Sequence, residues 1–236
     1  MNLKKIASAV KSSFAPTIPV MTGYLFMGAA FGILLQSKGY NFLWSGFMAV
    51  VIYAGSAQFV AAELLSKAFN PLNAFLVILM VNARHIFYGF SMLDKYSGMG
   101  KIRPYLVFSL TDETFTVLYS AQPPQGLSQK AFYLCVSLMN QIYWVIGCIA
   151  GGAAGSALPI NPRGIDFVMT ALFVAIFADL LREKQNRVPA AVGVFASVLC
   201  LFIFGAENFL IPAMLLMALA LTVLKKPIER LAAKYE

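Results

Sequence analysis

The stretch Pro71–Leu93, PLNAFLVILMVNARHIFYGFSML, restricts what this chain can fold into more than any other. It opens on an almost wholly apolar run, places Asn82, Arg84 and His85 at its middle, and then turns apolar again. At about 1.5 Å per residue its length matches the ~30 Å of a bilayer's hydrocarbon core. Arg84 then stands near the midplane, where a cation costs roughly 2.5–3.5 kcal/mol on insertion scales. A chain carries that cost only where the charge has partners, water or a task.

Composition agrees with a membrane setting. Of 236 residues 60% are hydrophobic and 12% charged, too few charges to cover a soluble surface. Several uninterrupted apolar runs predict an all-α, polytopic membrane protein. The net charge of +8 does not point to nucleic acid, because the basic residues sit in short clusters beside apolar runs, as membrane anchors do. Cys135, Cys148 and Cys200 lie inside apolar runs without metal-ligand spacing and read as small buried hydrophobes. No metal site or cofactor is expected.

Eight apolar segments can be drawn: Ala15–Gln36, Asn41–Leu65, Pro71–Leu93, Pro104–Ala121, Lys130–Leu158, Asp166–Leu181, Val188–Gly205 and Asn208–Leu224. They form one transmembrane domain over residues 1–236, with a basic lead-in at 1–14 and a basic tail at 225–236, both expected on the cytoplasmic side. Strict alternation puts the clusters around Lys4, Arg182 and Lys225 inside but sends Lys95, Lys101 and Arg103 outside, against the positive-inside rule. Seven or eight spans are therefore expected, with one or two segments broken or re-entrant. The second and fourth are the candidates, since Gly55-Ser56 and Thr111–Thr114 interrupt them. Stripes at Gly28/Gly32 and at Gly147/Gly151/Gly155 read as close helix contacts, and their corresponding places hint at an internal repeat.

Of the 18 Lys and Arg, only Arg84 lies inside an apolar segment, and of the acids only Asp112 and Glu113 lie deep in one. The sole histidine, His85, adjoins Arg84. Arg84 can pair with one acid, but Asp112 and Glu113 stand about 100° apart on a helical wheel, so the other must meet a different partner. The second segment adds Tyr53-Ala-Gly-Ser-Ala-Gln58, where small residues could mark a helix crossing or an unwound turn whose N–H groups face an anion. Gly55, Ser56, Gln58, Asn82 and Arg84 are the candidate substrate-binding residues. His85, Asp112 and Glu113 are the candidate proton-coupling residues. Phe59, Ile86, Phe87 and Phe115 offer an apolar lining, and together these groups suit a zwitterion with an apolar side chain. An uncoupled channel or facilitator for such zwitterions is the alternative. An intramembrane enzyme is not expected, since no matched nucleophile or metal quartet is present.

The motifs YAGSAQF at 53–59, NARHIFYG at 82–89 and LTDETF at 110–115, in that order, resemble the AzlC family of bacterial inner-membrane proteins. The resemblance implies the large subunit of a two-component, proton-driven exporter of valine, leucine and isoleucine, and in some members methionine. It also implies a small AzlD-type membrane subunit as partner, and a seven-span topology.

Overall fold

The computed structural model describes residues 3–66, 70–124, 126–157, 167, 170–171, 174, 177–178, 181–182, 184–225 and 227. All regular structure among them is helical. The chain divides into two compact units, Met1–Met169 and Thr170–Glu236.

The first unit is built on two long helices. Helix α1 (Leu3–Ser37) carries Pro16 and Pro19 within it, so residues 3–14 continue into the first apolar segment as one helix. Helix α8 (Gln129–Ala157) lies along α1, and glycine makes the contact possible. A Cβ at Gly28 would stand 2.9 Å from Cys148 N, and one at Gly147 2.8 Å from Tyr24 O. Cβ atoms at Gly32 and Gly151 would collide with the backbone of Cys148 and Ala29. The glycine stripes are thus a close helix seam, which dispersion favours in lipid, where apolar side chains gain little merely by meeting.

Three apolar segments are each split in two. The second forms α2 (Phe42–Val51), capped by Asn41 Oδ1 accepting from Leu43 N and Trp44 N, and α3 (Gly55–Leu65). Between them the buried Tyr53 holds φ +41°, a left-handed conformation rare for a side chain of this size. The third forms α4 (Pro71–Val81) and α5 (Arg84–Met92), bent by 46°. Its ladder tightens at the bend: Ala83, His85 and Ile86 N–H groups bond three residues back, to Met80, Asn82 and Ala83. The fourth forms α6 (Arg103–Phe108) and α7 (Asp112–Ser120). Thr111 Oγ1 caps α7 by accepting from Thr114 N at 3.3 Å. The third segment was not expected to break; the bend falls beside Arg84, whose guanidinium bonds outside its own helix to Asp112 and Ser56.

In the second unit α9 (Arg187–Asn208) runs into α10 (Leu210–Val223) through a kink at Gly205, whose φ of +72° glycine adopts freely. Phe195, Phe202, Leu215 and Leu219 point outward, as lipid-facing residues do.

Among the described residues three helices are long and apolar enough to cross a membrane, or four if α4 and α5 count as one span. The expected count of seven or eight is not confirmed among the described residues: the second and fourth segments form helices of 10, 11, 6 and 9 residues, and the last forms one of 14. The sixth segment, Asp166–Leu181, and the tail at 225–236 lie almost wholly outside the described residues.

Candidate functional site

The three breaks bring three helix N-termini together. Arg84 opens α5, Asp112 opens α7, and Ser56 sits in the first turn of α3. Arg84 Nη1 is 2.8 Å from Asp112 Oδ2, and Arg84 Nη2 donates to Ser56 Oγ at 3.2 Å. The pair keeps 34% and 26% of its side-chain surface exposed. A helix N-terminus carries roughly half a positive charge, which suits Asp112 and disfavours Arg84. The guanidinium is held in this place by the carboxylate opposite it. Both acids, Asp112 and Glu113, stand in the first turn of α7, where a helix end favours negative charge.

Glu113 goes elsewhere. Its Oε2 accepts from Tyr24 OH at 2.8 Å, and Tyr24 OH is also 2.6 Å from Thr111 Oγ1. Thr111 and Thr114 hydroxyls are 3.0 Å apart, and Asn140 Nδ2 donates to Thr114 Oγ1 at 3.0 Å. The 100° between consecutive residues therefore separates two acids onto two networks, one centred on Arg84 and one on Tyr24.

Other candidates are placed apart. Gln58 is fully buried, with Oε1 accepting from Trp144 Nε1 at 2.8 Å, so its amide ties α3 to α8 and does not reach Arg84. Gly55 lies under the same indole: a Cβ there would be 3.2 Å from the Trp144 ring. Asn82 Oδ1 is buried without a hydrogen-bond partner among the described residues, and Asn82 borders an apolar cavity of about 810 Å³ between α2, α3 and α4. His85 Nδ1 lies 3.1 Å from Asn82 O, and its ring meets Tyr88 edge-on, which in turn stacks on Phe115. His85 lines a second cavity, about 410 Å³, with Ile86, Phe90, Tyr96 and Arg103. Phe59 is buried in the core against Phe31, and Phe87 is exposed.

Tyr24, Asn140 and Trp144 escaped the sequence reading, and Thr111 and Thr114 were read only as interrupting the fourth segment. Tyr24 and Trp144 look like interior aromatics, and nothing in their neighbourhood along the chain marks a polar partner. Thr111 was within reach: Thr-Asp-Glu is an N-cap followed by two acids in the first turn, the pattern that starts a helix. No group of three His, Cys, Asp or Glu able to hold a metal occurs among the described residues.

Broken apolar helices gathered around an intramembrane charge pair define an all-helical membrane protein with a polar centre. A family model described as AzlC protein matches residues 19–158. The branched-chain amino acid transport protein AzlC of Bacillus subtilis is 46% identical over 226 residues, covering 96% of this chain and 89% of that protein. An uncharacterized membrane protein of Helicobacter pylori is 40% identical over 96% of this chain and its own full length. The inner membrane protein YgaZ of Escherichia coli is 27% identical over 77% of this chain and 78% of its own. The chain belongs to the AzlC family. No solved structure matches it.

Proposed function

We propose that this chain is a secondary-active exporter of valine, leucine and isoleucine, with methionine as a further substrate, driven by protons across a bacterial inner membrane. It works with a small AzlD-type membrane subunit. The observation that carries the substrate chemistry is the Arg84–Asp112 pair at 2.8 Å, set among the N-terminal ends of α3, α5 and α7. An amino acid carries the same two charges as the pair. Its carboxylate takes the Arg84 guanidinium and the α3 end with Ser56; its ammonium takes Asp112. Exchanging one ion pair for two leaves the net charge of the site unchanged, so a zwitterion enters without leaving a lone charge in lipid. Glu113, on its separate network, carries the proton, and His85 stands between the centre and the cavity it lines. The name of the Bacillus relative supports the branched-chain side chain.

Vesicles containing the purified chain, with and without the small subunit, test this. Labelled leucine should move against its own gradient when a proton gradient is imposed, and Asp112→Asn should abolish the movement in a folded protein. Leucine flux that only equilibrates would mean an uncoupled channel. Thermal stabilisation by leucine, isoleucine, valine and methionine is expected; stabilisation by lysine or glutamate instead would overturn the substrate class.

A further inference from the structure

The connection from α5 to α6 carries Lys95, Lys101 and Arg103, a basic cluster that the charge centre leaves unused. Lys95 has a task of its own: its Nζ donates to Leu118 O at 3.1 Å and to Tyr119 O at 2.6 Å, at the C-terminal end of α7. Lys101 and Arg103 are exposed, and neither makes an ion pair among the described residues. A further cation stands over the same turn, since a Cβ at Gly100 would lie 3.4 Å from Lys130 Nζ. Asp94 is the only acid in this connection, so the turn keeps a net positive charge.

Arg103 also forms one end of the cavity of about 410 Å³ between α5 and α6. The α5 wall is the stripe His85, Ile86, Gly89, Phe90 and Leu93, the spacing of a single helix face. At about 100° per residue Arg84 falls on the opposite face of that helix. The cavity therefore lies behind α5, away from the charge pair. From Leu93 back to His85 the stripe covers about 12 Å at 1.5 Å per residue, close to half of the ~30 Å hydrocarbon core. Ile86, Phe90, Leu93 and Val107 are exposed along it, so the groove is open toward lipid. Its wall also holds Tyr96, only 3% exposed, whose hydroxyl is buried with no hydrogen-bond partner among the described residues.

We propose that this groove holds one anionic phospholipid. Its phosphate lies on Arg103 and Lys101, one acyl chain follows the α5 stripe toward His85, and the Tyr96 hydroxyl donates to a headgroup or ester oxygen. Two features together select this occupant: a cationic end at the membrane surface, and an apolar slot running inward from it by about one leaflet's depth. An apolar helix of another protein would cover the stripe but bring no anion to the guanidinium. A free phosphate would pair with Arg103 and leave the slot unfilled. A zwitterionic headgroup brings its own cation beside Lys101. Basic pockets between membrane helices bind anionic headgroups for this reason, and a guanidinium suits phosphate through parallel N–H bonds. A chain seated there packs behind the helix whose first residue is Arg84, and so braces the guanidinium against Asp112 from the far side. The binding itself does not depend on what the charge pair transports.

The purified full chain in mild detergent is titrated with phosphatidylglycerol, with phosphatidylcholine of the same chains, or with inorganic phosphate, and its thermal unfolding is followed. Phosphatidylglycerol should raise the melting temperature saturably, and the other two should not. Arg103→Gln should weaken the apparent affinity about tenfold or more, the scale of one lost charge-assisted hydrogen bond. Lys225→Gln, in a different basic cluster, should leave it within about twofold. Tyr96→Phe should weaken it about threefold or more while melting no lower than the wild type without lipid, since its hydroxyl has no partner to lose. A Cβ at Gly89 meets nothing within 4 Å, so Gly89→Leu fills the groove without a backbone collision and should abolish the stabilisation. Hydrogen exchange should slow on adding phosphatidylglycerol in Arg84–Met92 and Arg103–Phe108. Native mass spectra should show the lipid kept on the wild type and lost from Arg103→Gln. No stabilisation by phosphatidylglycerol, equal stabilisation by phosphatidylcholine or by inorganic phosphate, or a loss in Lys225→Gln as large as in Arg103→Gln would each overturn the site. So would unchanged affinity in Tyr96→Phe, stabilisation that survives Gly89→Leu, or a second polypeptide retained in place of the lipid. None of these readouts uses transport, so a chain that fails to move leucine would refute the transport reading and leave this test intact.

Discussion

Neutralising Arg84 and Asp112 singly and together separates what the pair does for the fold from what it does for transport. The two side chains meet at 2.8 Å and are two-thirds to three-quarters shielded from solvent. Removing one member of a fully buried pair costs about 3–5 kcal/mol, whereas exposed pairs are worth about 0–1 kcal/mol. With this degree of shielding, Arg84→Gln or Asp112→Asn should each destabilise the protein by about 1–3 kcal/mol. Most of that is the stranded charge that remains, so the double variant Arg84→Gln/Asp112→Asn should lose less than the sum, with a coupling of about 1–2 kcal/mol. Unfolding of the micelle-embedded protein by denaturant, followed by circular dichroism, measures the cycle. Transport should be absent in all three variants, including the double variant whose fold is largely restored. Strict additivity would refute the pairing energetics. Full transport by the double variant would refute the assignment of carboxylate and ammonium to these two residues.

Three further outcomes follow from the packing. Gly151→Ala would press a methyl against the Ala29 backbone and should cost about 1–3 kcal/mol or prevent folding, whereas Gly23→Ala, with nothing within 4 Å of its Cβ, should be neutral or slightly stabilising in thermal unfolding; equal effects would remove the α1–α8 seam as the basis of the fold. Trp144→Phe leaves Gln58 Oε1 buried without its donor and should cost about 1–3 kcal/mol, a cost that adding Gln58→Leu should reduce in the same unfolding measurement. Asn41→Ala removes the acceptor for Leu43 N and Trp44 N and should lower stability by about 0.5–2 kcal/mol, seen as faster hydrogen exchange confined to the first turn of α2.

The sequence by itself determined that this is an all-helical membrane protein with a polar centre, because unpaired backbone groups and charges are costly in hydrocarbon and the chain shows where it accepts them. It singled out Arg84, Asp112 and Glu113 from depth alone, and the close helix seam from glycine spacing. Helical geometry even required the two acids to part company. Only the tertiary structure decided which acid took which partner, since Tyr24 lies 89 residues from Glu113 along the chain and an isolated tyrosine in an apolar run announces nothing. It also decided that Gln58 serves Trp144 rather than the charge pair, and that the third segment breaks beside its own arginine. The physical reason is the same in each case: in lipid an unpartnered polar atom is costly, local sequence shows which atoms are in need, and only the packed helices show which of them are met and by whom.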